Sequence, residues 1–434
     1  MRRTIVLCIL AVCALVFAAA DGAATERATL VVDGDRVQCA SADFSSIQAA
    51  VDAAQPGDLI KVCPDLYTES VVVDKPLTLK GDPGAVEAVD CFQPTLPELP
   101  PDQQAIVDPA GEGFSIAFKL KADDVVLVGF VIQGASVGID ASDLYSGYRI
   151  HHNLIRSNTL FGVDFGSGGS RESRVDHNCI RENGWGLVSE LDDDSLWKPS
   201  DGPERDQWNA RDLINARIDH NSTLRNTAGV EAAGPGRHDD VIFDHNVSRA
   251  DLLGIVIQNS EQSRILHNEL RPTRRGIDVG GANAGLEISG NVIETGRQGI
   301  AFLPANFLID QFPAPTIGAL VADNTVTGQV LDGIVASADR LHDSLLLDNV
   351  TSDNLRDGIV LRLNNNGNDL QGNLAERNGE YGIYAQGAIG NLFEANRMFG
   401  NAVYDARDDN RAANAWSANE CLTDFPVGTI CGVG

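Results

Sequence analysis

An asparagine recurs in a fixed setting along most of this sequence, and its spacing constrains the fold more than any other feature. Most copies lie 22 to 25 residues apart, and two gaps are longer, at 43 and 33 residues. A short run of alternating polar and apolar residues precedes each copy, and alternation with a period of two indicates a β-strand. The copies are Asn153, Asn178, Asn221, Asn246, Asn268, Asn291, Asn324, Asn349, Asn373 and Asn396.

A glycine follows nine of these asparagines eight or nine residues later, and an apolar residue follows each glycine, as in Gly254-Ile255. Short strands, regular turns and a period of roughly 23 residues predict an all-β chain, a right-handed parallel β-helix of about 11–13 coils. One coil cannot bury its own apolar face, whereas stacked coils form a continuous core. The asparagines are expected to hydrogen-bond their copies in the next coil. Leucine-rich repeats have a similar length but need a Leu-x-x-Leu-x-Leu pattern, which is missing here.

The ends of the chain differ from the repeats. Residues 1–20 read as a signal peptide, with Arg2 and Arg3 before an apolar stretch and small residues at Ala18–Ala20. Residues 28–81 are predicted to hold an N-terminal capping helix, Ser45–Ala54 with a serine cap, and the first coils. Residues 82–113 are predicted to be a Pro-rich loop, residues 114–410 the β-helix repeats, and residues 411–434 a disulfide-linked cap that leaves the repeat.

Six cysteines lie outside the predicted signal peptide, and an even count in an exported chain favours disulfides. The favoured pairs are Cys39 with Cys63 at one end and Cys421 with Cys431 at the other; Cys91 with Cys179 follows only by elimination. The formal charge of −28 disfavours nucleic acids and anionic membranes as partners. We expect a monomer, secreted or periplasmic, without a transmembrane segment in the mature chain.

The segment Cys39–Val51, followed by Pro56-Gly57-Asp58 and Tyr67-Thr68-Glu69, resembles the opening of pectin-lyase-like proteins. The repeats from about 125 to 404 are most similar to the periplasmic copper-maturation (NosD-like) β-helix proteins. This resemblance implies a fold more than an activity. The two aspartate motifs of pectin methylesterases are missing, and the Asp219-His220 pair of a pectate-lyase-like strand recurs in other coils, so it is a feature of the repeat.

The strand before each asparagine sorts residues between two faces. Positions four and two before the asparagine are expected to point outward and to form an Arg/Asp stripe. This stripe is an ion-pair network or, as the alternative, a site for Ca²⁺ or substrate. The inward positions are Ile150, Val175, Ile218, Phe243 and Ile265; the outward ones are Arg149, Arg174, Arg217 and Arg264, with His151, Asp176, Asp219 and Asp244.

Five of the eight histidines stand directly before an asparagine, in five consecutive coils: His152, His177, His220, His245 and His267. We expect these histidines to point inward and to hydrogen-bond along the stack. The alternative is a copper-binding row, since neutral imidazole is a common copper ligand. His220, His245, Asp219 and Asp244 are the metal-ligand candidates, and burial behind the sheet is the objection to them.

The strand that begins with the glycine offers a second outward face. Asp164, Glu190 and Glu231 are candidate catalytic residues there, because carboxylates on nearby coils approach the separations that glycosidases use. Insertions follow this strand at about 189–214 and 303–317, and tryptophan beside carboxylates suits sugar binding. The candidate substrate-binding residues are Trp185, Trp197, Trp208, Arg237, His238 and Asp278.

Two functions are consistent with these patterns. The first is an exported β-helix protein that binds a polysaccharide or cell-surface glycan and cleaves it as a glycoside hydrolase or polysaccharide lyase. The second is a non-catalytic surface-binding or copper-delivery protein. In either case the coils from about 150 to 280 are predicted to be the working segment, since the later coils are plainer.

Overall fold

A computed structural model describes residues 27–81, 90–96, 100–109, 111, 113–189, 211–234, 236–304 and 314–431. Three long parallel sheets, with 15, 14 and 14 strands, run along the molecule, and each coil contributes one strand to each sheet. This is the right-handed parallel β-helix that the repeat predicts, with slightly more strands per sheet than the expected 11–13 coils.

The first sheet holds the strands that precede the asparagines. In stacking order they are Thr29–Val32, Leu59–Val62, Thr78–Gly81, Val126–Val128, Arg149–His151, Ser167–Asp176, Leu213–Asp219, Val241–Asp244, Arg264–Leu266, Glu287–Ser289, Leu320–Ala322, Leu345–Leu347, Asp369–Gln371, Leu392–Glu394 and Ala415–Ser417.

The second sheet holds the strands that follow the asparagines. They are Asp65–Tyr67, Ala105–Val107, Val131–Gln133, Leu154–Arg156, Cys179–Arg181, Ser222–Leu224, Val247–Arg249, Glu269–Arg271, Val292–Glu294, Thr325–Thr327, Val350–Ser352, Leu374–Glu376, Arg397–Phe399 and Glu420–Cys421.

The third sheet holds the strands that start near the glycines. They are Val71–Val73, Ile116–Leu120, Val137–Ala141, Phe161–Phe165, Trp185–Ser189, Ala228–Ala232, Leu253–Gln258, Arg275–Gly280, Gln298–Phe302, Ile334–Ala336, Ile359–Arg362, Tyr381–Gln386, Tyr404–Asp408 and Asp424–Phe425. A smaller sheet joins Asn283–Ala284, Thr316–Ile317 and Leu341–His342.

The core is a stack of apolar side chains, one coil above the next. The inward positions predicted for the first sheet pair in register from Ile150 to Ile265, and each is fully buried. Removing this apolar surface from water is the main force that holds the coils together. The sorting of faces in these strands is therefore confirmed.

The recurring asparagines form a buried ladder at the corner between the first and second sheets. Asn221 Nδ2 donates to Asn246 Oδ1 at 3.2 Å and to the Val175 carbonyl at 2.8 Å, and Asn178 Nδ2 donates to Asn221 Oδ1 at 3.0 Å. The same contact continues from Asn153 to Asn419. The ladder satisfies backbone groups that the corner leaves unpaired inside the protein.

The recurring glycines allow neighbouring coils to pack closely at the next corner. A Cβ atom on Gly186 would lie 2.4 Å from the carbonyl oxygen of Gly229 in the next coil. A side chain at this position would push the coils apart, so the glycine is required by close approach.

The N-terminal end is closed by a helix, Ile47–Ala53, whose N-cap Ser46 accepts a hydrogen bond from the Ala49 amide. Ile47, Ala50 and Val51 are buried in the core. Within the described residues no helix has the length and apolarity needed to cross a membrane. The predicted signal peptide lies outside the described residues.

Two predicted boundaries differ in the structure. Ala105–Val107 is a strand of the second sheet inside the range predicted as a loop, because its three buried residues continue the apolar stack. The range 411–434 does not leave the repeat at once: it adds a strand to each long sheet, ending with Asp424–Phe425, before Ile430 packs on the core. The disulfides Cys39–Cys63, Cys91–Cys179 and Cys421–Cys431 are present as expected.

Candidate metal site on the histidine ladder

The five histidines that precede the asparagines lie on the outer surface, and the prediction that they point inward is wrong. Their backbone is left-handed, with φ between 53° and 55°. A left-handed residue between two extended strands interrupts the alternation of faces, so the histidine projects outward and the next asparagine inward. The side chains of His220 and His267 are 43% and 57% exposed. Burial is therefore no objection to a ligand on this row.

The imidazole rings stack on one another along the helix axis and form what we call the histidine ladder: His152, His177, His220, His245 and His267. The ring centres are 4.9 to 5.1 Å apart, close to the strand spacing. The first three steps are parallel within 4°, whereas His245 and His267 are tilted by 32°. The stacking follows from the identical backbone of each corner.

A buried aspartate supports each of the three central rings. His177, His220 and His245 each place Nδ1 within 2.8 Å of a carboxylate oxygen of the preceding aspartate. An ionised carboxylate only accepts hydrogen bonds, so Nδ1 carries the proton and donates it. Nε2 is then the nitrogen with a lone pair. This is the arrangement by which carboxylates orient histidine ligands in metal sites.

Arginines hold the central aspartate, Asp219, in its ionised form. Arg174 donates to both oxygens of Asp219, at 2.7 and 2.6 Å, and Arg217 lies 3.3 Å from the same carboxylate. Burial alone would raise the pKa of Asp219, but the hydrogen bonds from Arg174 and His220 and the arginine charges hold it below its ordinary value. The predicted Arg/Asp stripe is an ion-pair network whose carboxylates also serve the histidines.

The two ends of the ladder differ from its middle. His267 has Leu266 where the three central rungs have an aspartate, and its Nδ1 lies 3.3 Å from Asp244, which also binds His245. One ligand atom from each of Asp244, His245 and His267 lies within 4.8 Å of the other two.

At the opposite end, His151 replaces the aspartate, and its Nδ1 lies 2.8 Å from His152 Nδ1. Burial is the main cause that lowers the pKa of His151 to about 4. The charge of Asp176 opposes this shift, and the charge of Arg149 adds to it. His151 is therefore a neutral imidazole at physiological pH.

The later coils keep the corner and lose the imidazoles. The equivalent left-handed positions, each directly before a ladder asparagine, are Gly290, Asp323, Asp348, Gly372, Ala395 and Ala418. The stacked imidazoles are therefore confined to five consecutive coils.

Two of the residues proposed to cleave sugar lie on the outer face of the third sheet. Asp164 and Glu231 share one column, two coils apart, with Val188 between them. Asp164 is buried, with Arg211 3.5 Å away. Although burial opposes it, the charges of Asp164 and Asp140 keep the pKa of Arg211 above its ordinary value. Glu190, Trp197 and Trp208 lie outside the described residues.

The other candidates for sugar binding are engaged within the protein. Trp185 packs edge-on against Phe161, with ring centres 5.9 Å apart. His238 is fully buried and its Nδ1 donates to the Gln258 carbonyl at 2.7 Å. Arg237 pairs with Asp239, and Arg275 pairs with Asp278. Their roles in sugar binding remain predictions.

Sequence reasoning missed a carboxylate pair in the later coils. Asp332 is buried and accepts two hydrogen bonds from Arg356, at 2.6 and 2.5 Å. Asp357 lies one coil further on. Burial first, and then the negative charge of Asp332, raise the pKa of Asp357 to about 7. The available signal was an aspartate directly before the recurring glycine in these two coils, at Gly333 and Gly358.

Comparison with known protein families gives one match, to the second half of the chain. Residues 213–425 match the family model of the periplasmic copper-binding protein NosD. The matched range includes His220, His245 and His267. A search of the curated proteins gives no match.

Solved structures of similar architecture are carbohydrate enzymes and an adhesin. The A-module of a mannuronan C-5 epimerase from Azotobacter vinelandii is 12% identical, with 88% of this chain and 94% of that chain covered and a TM-score of 0.46. PfbA, a surface adhesin of Streptococcus pneumoniae, is 12% identical, with 83% and 87% covered and a TM-score of 0.45. DFA-IIIase from Arthrobacter chlorophenolicus is 14% identical, with 91% and 98% covered and a TM-score of 0.43.

Proposed function

We propose that this chain, a right-handed parallel β-helix whose residues 213–425 match the periplasmic copper-binding family, is an exported protein that binds copper on its histidine ladder. The observation that carries the proposal is the convergence of Asp244, His245 and His267 at the exposed end of the ladder. Two imidazoles and a carboxylate held at one place form a ligand set for a transition-metal ion, provided that the Nδ1 protons of His245 and His267 move to Nε2 when the metal binds.

The spacing at this end fits a metal ion after a small movement. A metal–imidazole bond is about 2.0 Å long, so two such bonds span about 4 Å when they are opposite each other. The ligand atoms all lie within 4.8 Å of one another, and the His267 side chain is 57% exposed, so it can adjust its position around an ion. Among divalent ions, copper is bound most tightly by such sites, which favours copper over zinc.

Two observations support an exported protein. The three disulfides suit an oxidising compartment and are rare in the cytosol. The family matched by residues 213–425 is described as periplasmic. We infer that copper is carried or stored outside the cytoplasm, and that the rungs from His152 to His220 provide additional nitrogen donors along the same surface.

Copper titration by calorimetry tests the proposal, with Cu²⁺ in air and Cu⁺ under anaerobic conditions. Replacing both His245→Ala and His267→Ala should weaken copper binding at least tenfold, since two of the three ligands are lost. Alanine suits this corner, because Ala395 occupies it in a later coil. Asp348→Ala, at the same corner outside the ladder, is the matched control and should leave affinity unchanged. Equal affinity in the double variant would contradict the proposal.

Glycan binding on the third sheet is the second candidate. It is supported by the position of Asp164, Glu231 and Trp185 on one outward face, next to the insertion that follows Ser189. Cleavage would require an acid and a base with separated pKa values. Release of reducing ends from a panel of polysaccharides, compared between the wild type and Glu231→Gln, tests it. If the protein neither bound nor cleaved any polysaccharide, this candidate would be excluded.

A further inference from the structure

Three aspartates meet at the N-terminal end of the β-helix, far along the chain from the histidine ladder. Asp33 and Asp35 lie on the loop that follows the first strand, and Asp65 begins the first strand of the second sheet. One carboxylate oxygen from each lies within 4.8 Å of the other two. Among the described residues, no lysine, arginine or histidine forms an ion pair with any of the three.

Each carboxylate is oriented through one of its oxygens. Asp33 Oδ2 accepts from the Cys39 amide, Asp35 Oδ1 from the Val37 amide, and Asp65 Oδ1 from the Leu66 amide. Within the described residues, no hydrogen bond reaches the second oxygen of any of them. Three carboxylates are therefore aligned by the backbone, and each keeps one oxygen available.

One member of the group is a buried carboxylate with an unpaired oxygen, which favours a bound cation. Asp33 is completely buried, and its Oδ1 has no hydrogen-bond partner. An unpaired carboxylate oxygen inside a protein is unfavourable unless a cation or a donor compensates it.

A glycine makes room for the group. A Cβ atom on Gly34, between Asp33 and Asp35, would lie 2.2 Å from Asp65 Oδ2. The Asp65 carboxylate therefore rests against the backbone of the loop, at a place where any side chain would displace it. The disulfide Cys39–Cys63 fixes the same loop to the neighbouring coil.

We propose that Asp33, Asp35 and Asp65 bind a calcium ion that fastens the N-terminal loop to the first coils. Calcium prefers oxygen ligands at 2.3–2.6 Å, so two oxygens on opposite sides of the ion are about 4.8 Å apart. Magnesium demands near-ideal octahedral geometry and usually keeps several waters, so a site built from three protein carboxylates favours calcium. The ion would neutralise the carboxylates and complete the coordination of Asp33 Oδ1.

Because the ion would bind only to the folded chain, it would stabilise the N-terminal end. The gain in stability grows with the ratio of calcium concentration to the dissociation constant. This site is independent of the histidine ladder, because calcium favours oxygen donors and disfavours imidazole. The proposed copper function can therefore fail while the calcium site stands, and the reverse also holds.

Calorimetric titration of the chelator-treated protein with Ca²⁺ alone tests the proposal. The wild type should bind one ion and unfold at a higher temperature with calcium. Asp35→Asn and Asp65→Asn should each weaken binding at least tenfold and reduce this shift. Asp35 is exposed, so its variant is expected to fold even if Asp65→Asn does not.

Two control variants locate the ion. Asp74→Asn removes an exposed charge near the first coils, and Asp244→Asn removes the carboxylate of the histidine ladder; both should bind calcium as the wild type does. Absence of saturable binding to the wild type, or unchanged affinity in Asp35→Asn, would overturn the proposal. Loss of binding in Asp244→Asn alone would place the ion on the ladder and overturn it equally.

Discussion

Asp244 accepts hydrogen bonds from two histidines on successive coils. Its Oδ1 lies 2.6 Å from Nδ1 of His245 and 3.3 Å from Nδ1 of His267. The inner rungs have one aspartate for each histidine, whereas this end has one aspartate for two. The shared carboxylate draws His267 out of the parallel stack and creates the only place in the described ladder where a carboxylate and two imidazoles converge.

Replacing Asp244 with asparagine should weaken copper binding roughly 10- to 100-fold, because one of the three ligands and its negative charge are lost. Asp323→Asn is the control, since Asp323 occupies the histidine corner of a later coil and asparagine tolerates its left-handed backbone. Competition with a chromogenic copper chelator measures both affinities. If Asp244→Asn bound copper as tightly as the wild type, Asp244 would have no part in the site.

The asparagine ladder should be essential for stability at each buried rung. Asn221→Ala removes hydrogen bonds to Asn246, Asn178 and the Val175 carbonyl and leaves these groups unpaired. We expect a loss of about 2–4 kcal/mol in the free energy of unfolding. Urea denaturation followed by circular dichroism measures it. The exposed Asn410→Ala is the control, and equal losses in the two variants would refute the role of the ladder.

The raised pKa of Asp357 should reduce stability at alkaline pH. In the unfolded chain this carboxyl titrates at about 3.9, whereas in the folded protein its pKa is about 7. Between these values the folded state holds a proton that the unfolded state has lost. Stability is therefore lost as the pH rises from about 4 to about 7.

Asp357→Asn removes this titration and should stabilise the protein at pH about 8 by about 1–2 kcal/mol, with little effect near pH 4. Unfolding curves for the variant and the wild type at both pH values check the prediction. Asp353→Asn, on an exposed ion pair with Arg377, is the comparison at a neighbouring site. A variant equally or less stable than the wild type at the higher pH would show that the proton on Asp357 is not the cause.

The fold was predictable because the repeat contains two patterns with clear physical causes: the alternation of faces within a strand and the constant length of a coil. Alternation placed Ile218 and Phe243 inward, and the spacing of about 23 residues placed Asn221 and Asn246 one above the other. The disulfide between Cys91 and Cys179, which only elimination favoured, depended on a contact between distant segments that no local pattern reveals.

The orientation of the histidines was not predictable from alternation, because one left-handed residue shifts the alternation of faces from that residue onward. A signal was present in the later coils, where glycine occupies the same position at Gly290 and Gly372. Glycine and aspartate at one register favour a left-handed backbone. Asp244 lies close to His267 because Leu266 replaces the aspartate beside that histidine. This replacement could be interpreted only after the histidines were known to face outward.

Diffraction from crystals grown with copper, measured on both sides of the copper absorption edge, would locate the bound metal. We expect an anomalous peak between Asp244, His245 and His267, about 2 Å from the imidazole nitrogens. The peak should disappear in crystals of the His245→Ala, His267→Ala variant. A fully occupied copper peak away from the ladder, or no peak in crystals that contain copper, would show that the ladder does not bind copper.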